Sequence, residues 1–390
     1  MAVDKKKIMA AAFAELARTM PDDTVGQYHD IGKDLDIETL STGSIAVDEI
    51  LGGGFAVGRL SCLVGHTSSG KTTLALTAIA NMQKVNPDAN ILFVDAEQAL
   101  DPAYAASLGV DIDSLYIHQP SSGEAAVNSI ITAMNTGVCD LIVVDSIAGM
   151  LPKSIIFGDI DSEARPGEFA RFISRAIGKI YGLANQSKTT VILINQWKPA
   201  TKMSTFAAGT GTAGTSWYMP GGQQLPFFLT QLLEIKKSSQ VLENKVVVSN
   251  VITATVKKNK IAPPYRTADF FITFGKGVDK NQELIGLGLK YGVLRAAGAF
   301  ISSDIEEIKT VQGRVKLSRI LEENPKVAEQ LEVILKKLVA EEIAKGKGGA
   351  GSLTVDSTAF DDVPGQEESS SLPEGFNPEE ELKHLVAEPL

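Results

Sequence analysis

The 390-residue sequence has few cysteines and no long hydrophobic run, and each shortage excludes a class of protein. Its two cysteines, Cys62 and Cys139, are too few for a disulfide framework or for a four-cysteine zinc site. No apolar stretch approaches the roughly 20 residues that a membrane-spanning helix needs, and no basic-then-apolar segment resembles a signal peptide. We therefore expect a cytoplasmic protein with no membrane partner.

The acidic charge is concentrated at one end of the chain. The formal net charge is −10. Residues 351–390 carry ten acidic side chains against the single base Lys383, so the preceding 350 residues total −1. A near-neutral body can carry local basic patches, and the net charge therefore does not exclude a nucleic-acid partner. Because this end is rich in Ser, Pro, Gly and Glu, residues 346–390 are predicted to be an acidic disordered tail.

Short apolar runs rich in β-branched residues recur through the middle of the chain. They occupy residues 60–64, 91–94, 141–144, 191–194, 232–235, 251–256 and 270–274. The first four are typical of parallel strands buried on both faces, and helical periodicity fills the segments between them. The predicted fold is therefore α/β, with a mostly parallel central sheet flanked by helices. The last three runs are predicted as later strands, which could pair antiparallel.

Two further helices are predicted outside this sheet. Residues 5–20 place Phe13 and Leu16 on one apolar face, and Pro21 ends the helix. So short a helix cannot bury its face alone, and it docks either on its own core or on a neighbouring subunit. Residues 22–40 then follow as a polar linker. Near the other end, Asn324 predicts an N-cap and Pro325 the first turn of an amphipathic helix.

A phosphate-binding loop is the clearest functional motif. Its residues are Gly65, His66, Thr67, Ser68, Ser69, Gly70, Lys71 and Thr72, which match G-x-x-x-x-G-K-[ST] in full, and Thr73 follows them in the same site. The motif follows a predicted strand and begins a predicted helix, which is the context it requires. Lys71 is expected to reach the β- and γ-phosphates, and the Thr72 hydroxyl to bind Mg²⁺. We therefore predict ATP and Mg²⁺ as cofactors.

Polar residues follow the predicted strands at the sheet edge where ligands bind. Asp145 is favoured as a Mg²⁺ partner over a helix cap, because the loop requires such a carboxylate. Glu97 either activates a water molecule or is a surface carboxylate, with neither favoured. Gln196 either contacts the γ-phosphate and couples it to the following loop, or is a polar strand end. From composition alone, Lys258 and Lys260 form an ordinary solvated turn more readily than a charge-neutralising pair.

From about residue 38 to 300, the sequence resembles the bacterial RecA recombinase family. The resemblance is carried, in order, by residues 40–44, 65–72, 93–102, 141–146, 194–196, 258–262 and 297–300. It implies a DNA-dependent ATPase that forms a helical filament on single-stranded DNA and pairs it with homologous double-stranded DNA. Recombination, DNA repair and the SOS response are the processes in which such proteins act.

The resemblance also implies roles for individual residues around the nucleotide. Glu97 matches the family's water-activating carboxylate, and Gln196 its γ-phosphate sensor. Lys258 and Lys260 match lysines that reach the ATP of the neighbouring subunit in a homo-oligomer. The adenine contacts are matched by Asp101 and Tyr104. With Lys71, the first four of these residues make up the predicted catalytic set.

Two DNA loops are implied, over residues 157–167 and 197–220. The predicted DNA-binding residues are Arg171, Arg175, Lys198, Lys202, Met203, Phe206, Gly221 and Gly222. For Met203 and Phe206, core packing or disorder is at least as good an interpretation as base contact. Arg175 stands in for a family arginine whose position Gly178 occupies. Thr253 and Thr255 occupy positions of the family's secondary DNA site that are usually basic. Fewer positive charges are therefore available for binding duplex DNA than for binding a single strand.

These patterns divide the chain into four predicted parts. Residues 1–37 are an N-terminal helix and linker for subunit packing, and residues 38–280 are a RecA-type P-loop ATPase core with the DNA loops. Residues 281–345 are a small C-terminal α+β domain, and residues 346–390 are the tail. Two rival functions stay open at this point: a hexameric DNA helicase of the same superfamily, and a nucleotide-gated scaffold without DNA activity.

Overall fold

The structure is a computed structural model that describes residues 5–20, 25–26, 37–158, 167–199, 217–243 and 246–345. The second predicted DNA loop is described only at its two ends. Lys202, Met203 and Phe206, and the acidic tail, therefore lie outside the described residues. None of the described helices is both long and apolar enough to cross a membrane.

A nine-stranded sheet forms the centre of the molecule. Its strands are β3 (Leu60–Gly65), β4 (Ile91–Asp95), β5 (Tyr116–His118), β6 (Leu141–Asp145), β7 (Thr190–Gln196), β10 (Gln231–Glu243), β11 (Val246–Asn259), β12 (Thr267–Thr273) and β13 (Gly277–Val278). Their order is β13-β12-β11-β10-β3-β7-β6-β4-β5. Strands β10 to β5 in this order pair in parallel, whereas β11, β12 and β13 add antiparallel strands at one side.

The first four predicted strands are confirmed, each within one or two residues of its predicted bounds. All six residues of β3 are buried, as expected for a parallel strand covered on both faces. The last three runs also form strands. Antiparallel pairing holds fully for the second and third of them, whereas β10 pairs in parallel with β3 as well as antiparallel with β11.

Helices cover both faces of the sheet. The helices of the described residues are α1 (Lys5–Thr19), α2 (Ile45–Leu51), α3 (Lys71–Val85), α4 (Pro102–Ser107), α5 (Gly123–Asn135), α6 (Lys153–Ile156), α7 (Glu168–Ser187), α8 (Leu225–Phe228), α9 (Lys280–Lys290), α10 (Arg314–Glu323) and α11 (Pro325–Ala344). One apolar cluster joins the sheet to α2, α3, α9, α10 and α11. A second joins the opposite face to α5 and α7. This two-layered cover confirms the predicted fold class.

The C-terminal part of the described chain contains the helices α9 to α11 and a small sheet. The sheet consists of β14 (Leu294–Ala297), β15 (Phe300–Ser303) and β16 (Val311–Gln312). Pro325 begins α11 as predicted, but the Asn324 side chain does not cap that helix. Its amide instead donates a hydrogen bond to the Ile320 carbonyl at 2.9 Å, at the end of α10. Buried Leu331 and Leu335 join the same apolar cluster as the sheet.

The N-terminal helix α1 confirms the prediction for residues 5–20, and it has no buried residue. Phe13 and Leu16 are among its exposed apolar side chains, and the surface on which they dock stays a prediction. The predicted linker extends two residues too far. Thr39–Leu40 form strand β1, which pairs with β2 (Phe55–Ala56) in a separate two-stranded sheet. A two-residue strand is too short to leave a periodic signal in the sequence.

Candidate functional site

The phosphate-binding loop connects β3 to α3 at the carboxyl edge of the sheet. A Cβ atom on Gly65 would lie 2.2 Å from the Ile235 carbonyl oxygen, so only glycine fits where the strand ends. Gly70 has a φ of +91°, and a Cβ there would lie 2.4 Å from Cδ1 of Ile272. The two glycines therefore allow the loop to turn tightly against its neighbours while its backbone faces the cleft.

Lys71 is buried at the start of α3, with its side chain folded back over the loop. Its Nζ donates hydrogen bonds to the carbonyl oxygens of Gly65 at 3.2 Å and His66 at 2.7 Å. Burial lowers the pKa of Lys71 below its ordinary value, while nearby Asp145 and Glu97 act in the opposite direction. The structure thus places one ammonium group where phosphates would enter the loop.

The hydroxyl of Thr72 donates a 2.6 Å hydrogen bond to Oδ2 of Asp145, at the end of β6. Burial raises the pKa of Asp145 to about 6, and Glu97 raises it further, whereas Thr72 and Lys71 oppose the shift. No cluster of three or more metal-binding side chains occurs among the described residues. One hydroxyl and one carboxylate nevertheless fit Mg²⁺, which keeps several waters and takes its other oxygen ligands from phosphates.

Glu97 and Gln196, which follow different strands, meet beside this pair. Nε2 of Gln196 donates to Oε1 of Glu97 at 2.8 Å, and the Ser146 hydroxyl donates to the same oxygen. Sequence reasoning placed Glu97 and Gln196 at the same sheet edge but did not anticipate Ser146. Glu97 follows β4 and Gln196 ends β7, and both strands pair in parallel with β6, so their carboxyl ends reach the same edge of the sheet.

A cleft of about 330 Å³ is lined by Lys71, Thr72, Glu97, Asp145 and Gln196, and also by Tyr104. The phenol of Tyr104 shares a 2.8 Å hydrogen bond with the Thr73 hydroxyl. Asp101 does not line the cleft; its carboxylate accepts a hydrogen bond from the Ala103 N–H at 2.9 Å and so caps α4. The adenine contact predicted for Asp101 stays a prediction, and in the described chain this residue has a structural partner.

Sequence reasoning missed one wall of the cleft. It is formed by Asn250, Ile252, Ile272 and Phe274, from the antiparallel strands β11 and β12 and the residue after β12. Asn250 lies directly opposite Ile272 in the register of these strands. The available signal was the antiparallel pairing itself, which brings the start of β11 and the end of β12 to the same edge as the loop. The predicted strand at residues 251–256 begins too late to include Asn250.

The described part of the predicted DNA surface is centred on α7. Arg171 and Arg175 are exposed on this helix. Gly221 and Gly222 pack against it with φ values of +106° and +84°. A Cβ on Gly221 would lie 3.1 Å from Cγ2 of Ile173, so this turn is closely fitted to the helix. Lys198 is also exposed, and it follows closely after Gln196, the last residue of β7. The DNA contacts of all five residues stay predictions.

The two ends of the second predicted DNA loop contact the phosphate-binding loop. The Trp197 N–H donates to the Gly65 carbonyl at 3.2 Å. At the other end, the ring of Trp217 packs edge-on against His66, with 4.5 Å between the ring centroids. The two ends are also paired with each other, because β8 (Lys198–Pro199) and β9 (Trp217–Tyr218) form a small antiparallel sheet. The phosphate-binding loop therefore contacts both described ends of the predicted DNA loop.

Lys258 and Lys260 do not line the cleft of their own chain. Nζ of Lys258 donates to the Pro226 carbonyl at 2.5 Å, and Nζ of Lys260 donates to the Phe227 carbonyl at 3.3 Å. Burial lowers the pKa of Lys258, and the positive charge of Lys260 lowers it further. The pair therefore lies at α8, with its two ammonium groups close enough to interact.

Comparisons with known proteins agree with this geometry. The family model for the RecA N-terminal domain matches residues 7–279. A protein named RecA from Rhodopseudomonas palustris is 37% identical over 348 residues, which cover 88% of this chain and 96% of that protein. The RecA protein of Thermotoga neapolitana is 40% identical over 305 residues, covering 77% and 84%. That of Caulobacter vibrioides is 38% identical over 335 residues, covering 86% and 90%.

Proposed function

Because the chain belongs to the RecA family of DNA recombinases and DNA-dependent ATPases, we propose that it forms a helical filament on single-stranded DNA and exchanges that strand with a homologous duplex. One observation carries the proposal: Gln196, at the start of the second DNA loop, is hydrogen-bonded to Glu97 inside the nucleotide cleft. A nucleotide in this cleft competes directly with that hydrogen bond.

The cleft residues divide the work of ATP hydrolysis. Lys71 exchanges its loop carbonyls for the β- and γ-phosphates, and Thr72 and Asp145 would hold Mg²⁺. When bound, the ion would neutralise phosphate charge. Glu97 accepts a proton from the attacking water, and the Ser146 hydroxyl fixes the orientation of its carboxylate. The protein groups of this half of the site already lie together in the described chain.

The γ-phosphate also signals to the DNA loop. When it is present, Gln196 turns from Glu97 to the phosphate and shifts the end of β7, to which Trp197 and β8 are joined. Hydrolysis removes the phosphate and lets Gln196 return. ATP then acts as an affinity switch for DNA, with a coupling free energy of about 1–3 kcal/mol per site.

Lys258 and Lys260 act on the nucleotide of the neighbouring protomer. The resemblance to the family supports this role, and neither lysine lines the cleft of its own chain. A head-to-tail interface between identical protomers places a different surface of each chain against the next and propagates as a helix. Each complete site then combines Lys71 and Glu97 of one protomer with the lysine pair of another.

Mixing two inactive variants tests this arrangement. Lys71→Ala removes the cis half of the site, and the double variant Lys258→Ala/Lys260→Ala removes the trans half. We expect each alone to lack DNA-stimulated ATP hydrolysis, and an equal mixture to regain activity at about one quarter of its sites, those in which the intact halves meet. A mixture as inactive as its components would place the lysines in their own chain's site and overturn the trans assignment.

Electron microscopy with single-stranded DNA and a non-hydrolysable ATP analogue tests the assembly. We expect helical filaments on the DNA. Closed rings would support a hexameric helicase, and the absence of any DNA-dependent assembly would support a nucleotide-gated scaffold. No observation on the described residues favours either alternative, and the relatives reported above are all named RecA.

A further inference from the structure

Asn250 interrupts an otherwise apolar face of β11. Ile252, Ala254 and Val256 follow it at intervals of two and point to the same side of the sheet, and each is at most 1% exposed in the main apolar cluster. The same periodicity places Asn250 at the end of this face, where β11 reaches the nucleotide cleft. The alternation of residues along β11 predicts an apolar side chain at this position, so the strand itself does not require an asparagine there.

The side chain of Asn250 is nine-tenths buried, with 9% of its surface exposed. Its Oδ1 is buried and has no hydrogen-bond partner among the described residues. A buried acceptor left without a partner destabilises the folded state, and such groups are uncommon in native proteins. Because Asn250 also lines the cleft, a bound ligand is the natural source of the missing donor.

The surroundings of Asn250 show which part of the ligand lies beside it. Ile272 and Ile252 contact the phosphate-binding loop at Gly70, so this wall continues outward from the phosphates. Tyr104 and Phe274 add two aromatic side chains to the cleft. Apolar and aromatic surfaces suit a planar base better than a hydroxylated sugar, so the amide meets the edge of a base.

We propose that Asn250 is a specificity-determining residue, whose Oδ1 accepts a hydrogen bond from the exocyclic amino group of adenine. Asparagine pairs well with adenine because its amide oxygen and nitrogen complement the amino group and an adjacent ring nitrogen. A base that lacks this amino group leaves the buried oxygen without a donor. The inference rests on the proposed binding of ATP in this cleft and adds the group that reads the base.

The test compares ATP with purine riboside 5′-triphosphate, which differs only in lacking the amino group, and with 2′-deoxy-ATP. Affinities of the full chain are measured by isothermal titration calorimetry with Mg²⁺. We expect the wild type to bind ATP about fivefold to tenfold more tightly than the purine analogue, the value of one buried hydrogen bond. In Asn250→Leu the preference falls to about one, while the ratio of ATP to 2′-deoxy-ATP stays at its wild-type value.

Stability provides the matched control. Leucine has a similar volume and removes the unpartnered oxygen, so nucleotide-free Asn250→Leu is expected to melt no lower than the wild type. Asn250→Ala serves as a second variant with the same expected loss of preference.

If the wild type binds ATP and the purine analogue equally, the inference is wrong although nucleotide binding stands. A loss of discrimination against 2′-deoxy-ATP instead would assign Asn250 to the sugar and overturn the base contact. If the wild type binds neither nucleotide, the proposed function itself fails.

Discussion

At the scale of single residues, one carboxylate oxygen joins the two proposed activities. Oε1 of Glu97 accepts hydrogen bonds from both Gln196 and Ser146, so the proposed hydrolysis and signalling would share one atom. This arrangement predicts that the two functions can be separated by changing the carboxylate alone, because an amide keeps the shape of the side chain but cannot accept a proton from water.

Glu97→Gln should lower DNA-stimulated ATP hydrolysis by about 100-fold or more, the usual contribution of a general base. ATP binding and ATP-dependent DNA binding should persist, since neither requires proton transfer. Phosphate release and DNA anisotropy measure the two properties in one preparation. Glu329→Gln, an exposed change on α11, is the matched control. A Glu97→Gln protein that hydrolyses ATP at the wild-type rate would remove Glu97 from the mechanism.

The two tryptophans of the chain offer an internal reporter. Both contact the phosphate-binding loop, Trp197 through its backbone and Trp217 through its ring on His66. In a Trp197→Phe background, saturation with a non-hydrolysable ATP analogue should change the emission of Trp217, because nucleotide binding alters the position of the His66 ring. Adding His66→Ala should abolish most of this change while ATP still binds. An unchanged response in the His66→Ala protein would show that the ring contact does not report on the nucleotide.

At the scale of elements, the contact between α2 and α9 contains a buried acid. Burial raises the pKa of Glu283 to about 7, although the Ser44 hydroxyl and the Ala46 N–H, which donates at 3.1 Å, favour its ionised form. Burial also raises the pKa of Asp48, in α2, to about 6. Between the ordinary pKa of glutamate and about 7, the folded chain holds a proton that the unfolded chain has released.

The stability of the nucleotide-free protein should therefore decrease as pH rises from about 4.5 to 7, and the penalty should be fully present above 7. Glu283→Gln should remove much of this dependence and stabilise the protein at pH 8 by about 1–3 kcal/mol. Urea unfolding at pH 5 and pH 8 measures both effects. Asp48 still contributes below about pH 6. A wild-type protein that is more stable at pH 8 than at pH 5 would contradict the burial of an ionisable Glu283.

The elements also show what the sequence alone could and could not predict. The parallel strands and the phosphate loop were predictable because burial on both faces and a tight glycine turn each impose a local pattern. Asn250 and Phe274 were not, since their place in the cleft depends on pairing between β11 and β12, which no local pattern records. The N-cap predicted at Asn324 was wrong, because a short polar side chain can bond to either of two neighbouring helices, and only the packed structure selects one.

At the scale of the whole molecule, residues 1–350 and residues 351–390 differ in net charge. The body is near neutral, whereas residues 351–390 carry −9. We expect these acids to compete with DNA for basic surface, and such a competition would be screened beyond about 10 Å at 0.1 M salt. Deleting residues 346–390 should therefore strengthen binding to double-stranded DNA at low salt, with the effect fading as salt rises. Filter binding across a salt series measures it, and identical curves for both proteins would rule out the competition.

The central claim is that a nucleoside triphosphate in the cleft controls the affinity of the protein for single-stranded DNA. Fluorescence anisotropy of a labelled single-stranded oligonucleotide tests it most directly, with the full chain titrated in three parallel series: a non-hydrolysable ATP analogue, ADP, and no nucleotide. At about 1–3 kcal/mol of coupling per site, the analogue should tighten binding at least about fivefold over ADP and over no nucleotide. Superimposable curves in all three series would show that the cleft and the DNA surface are not coupled.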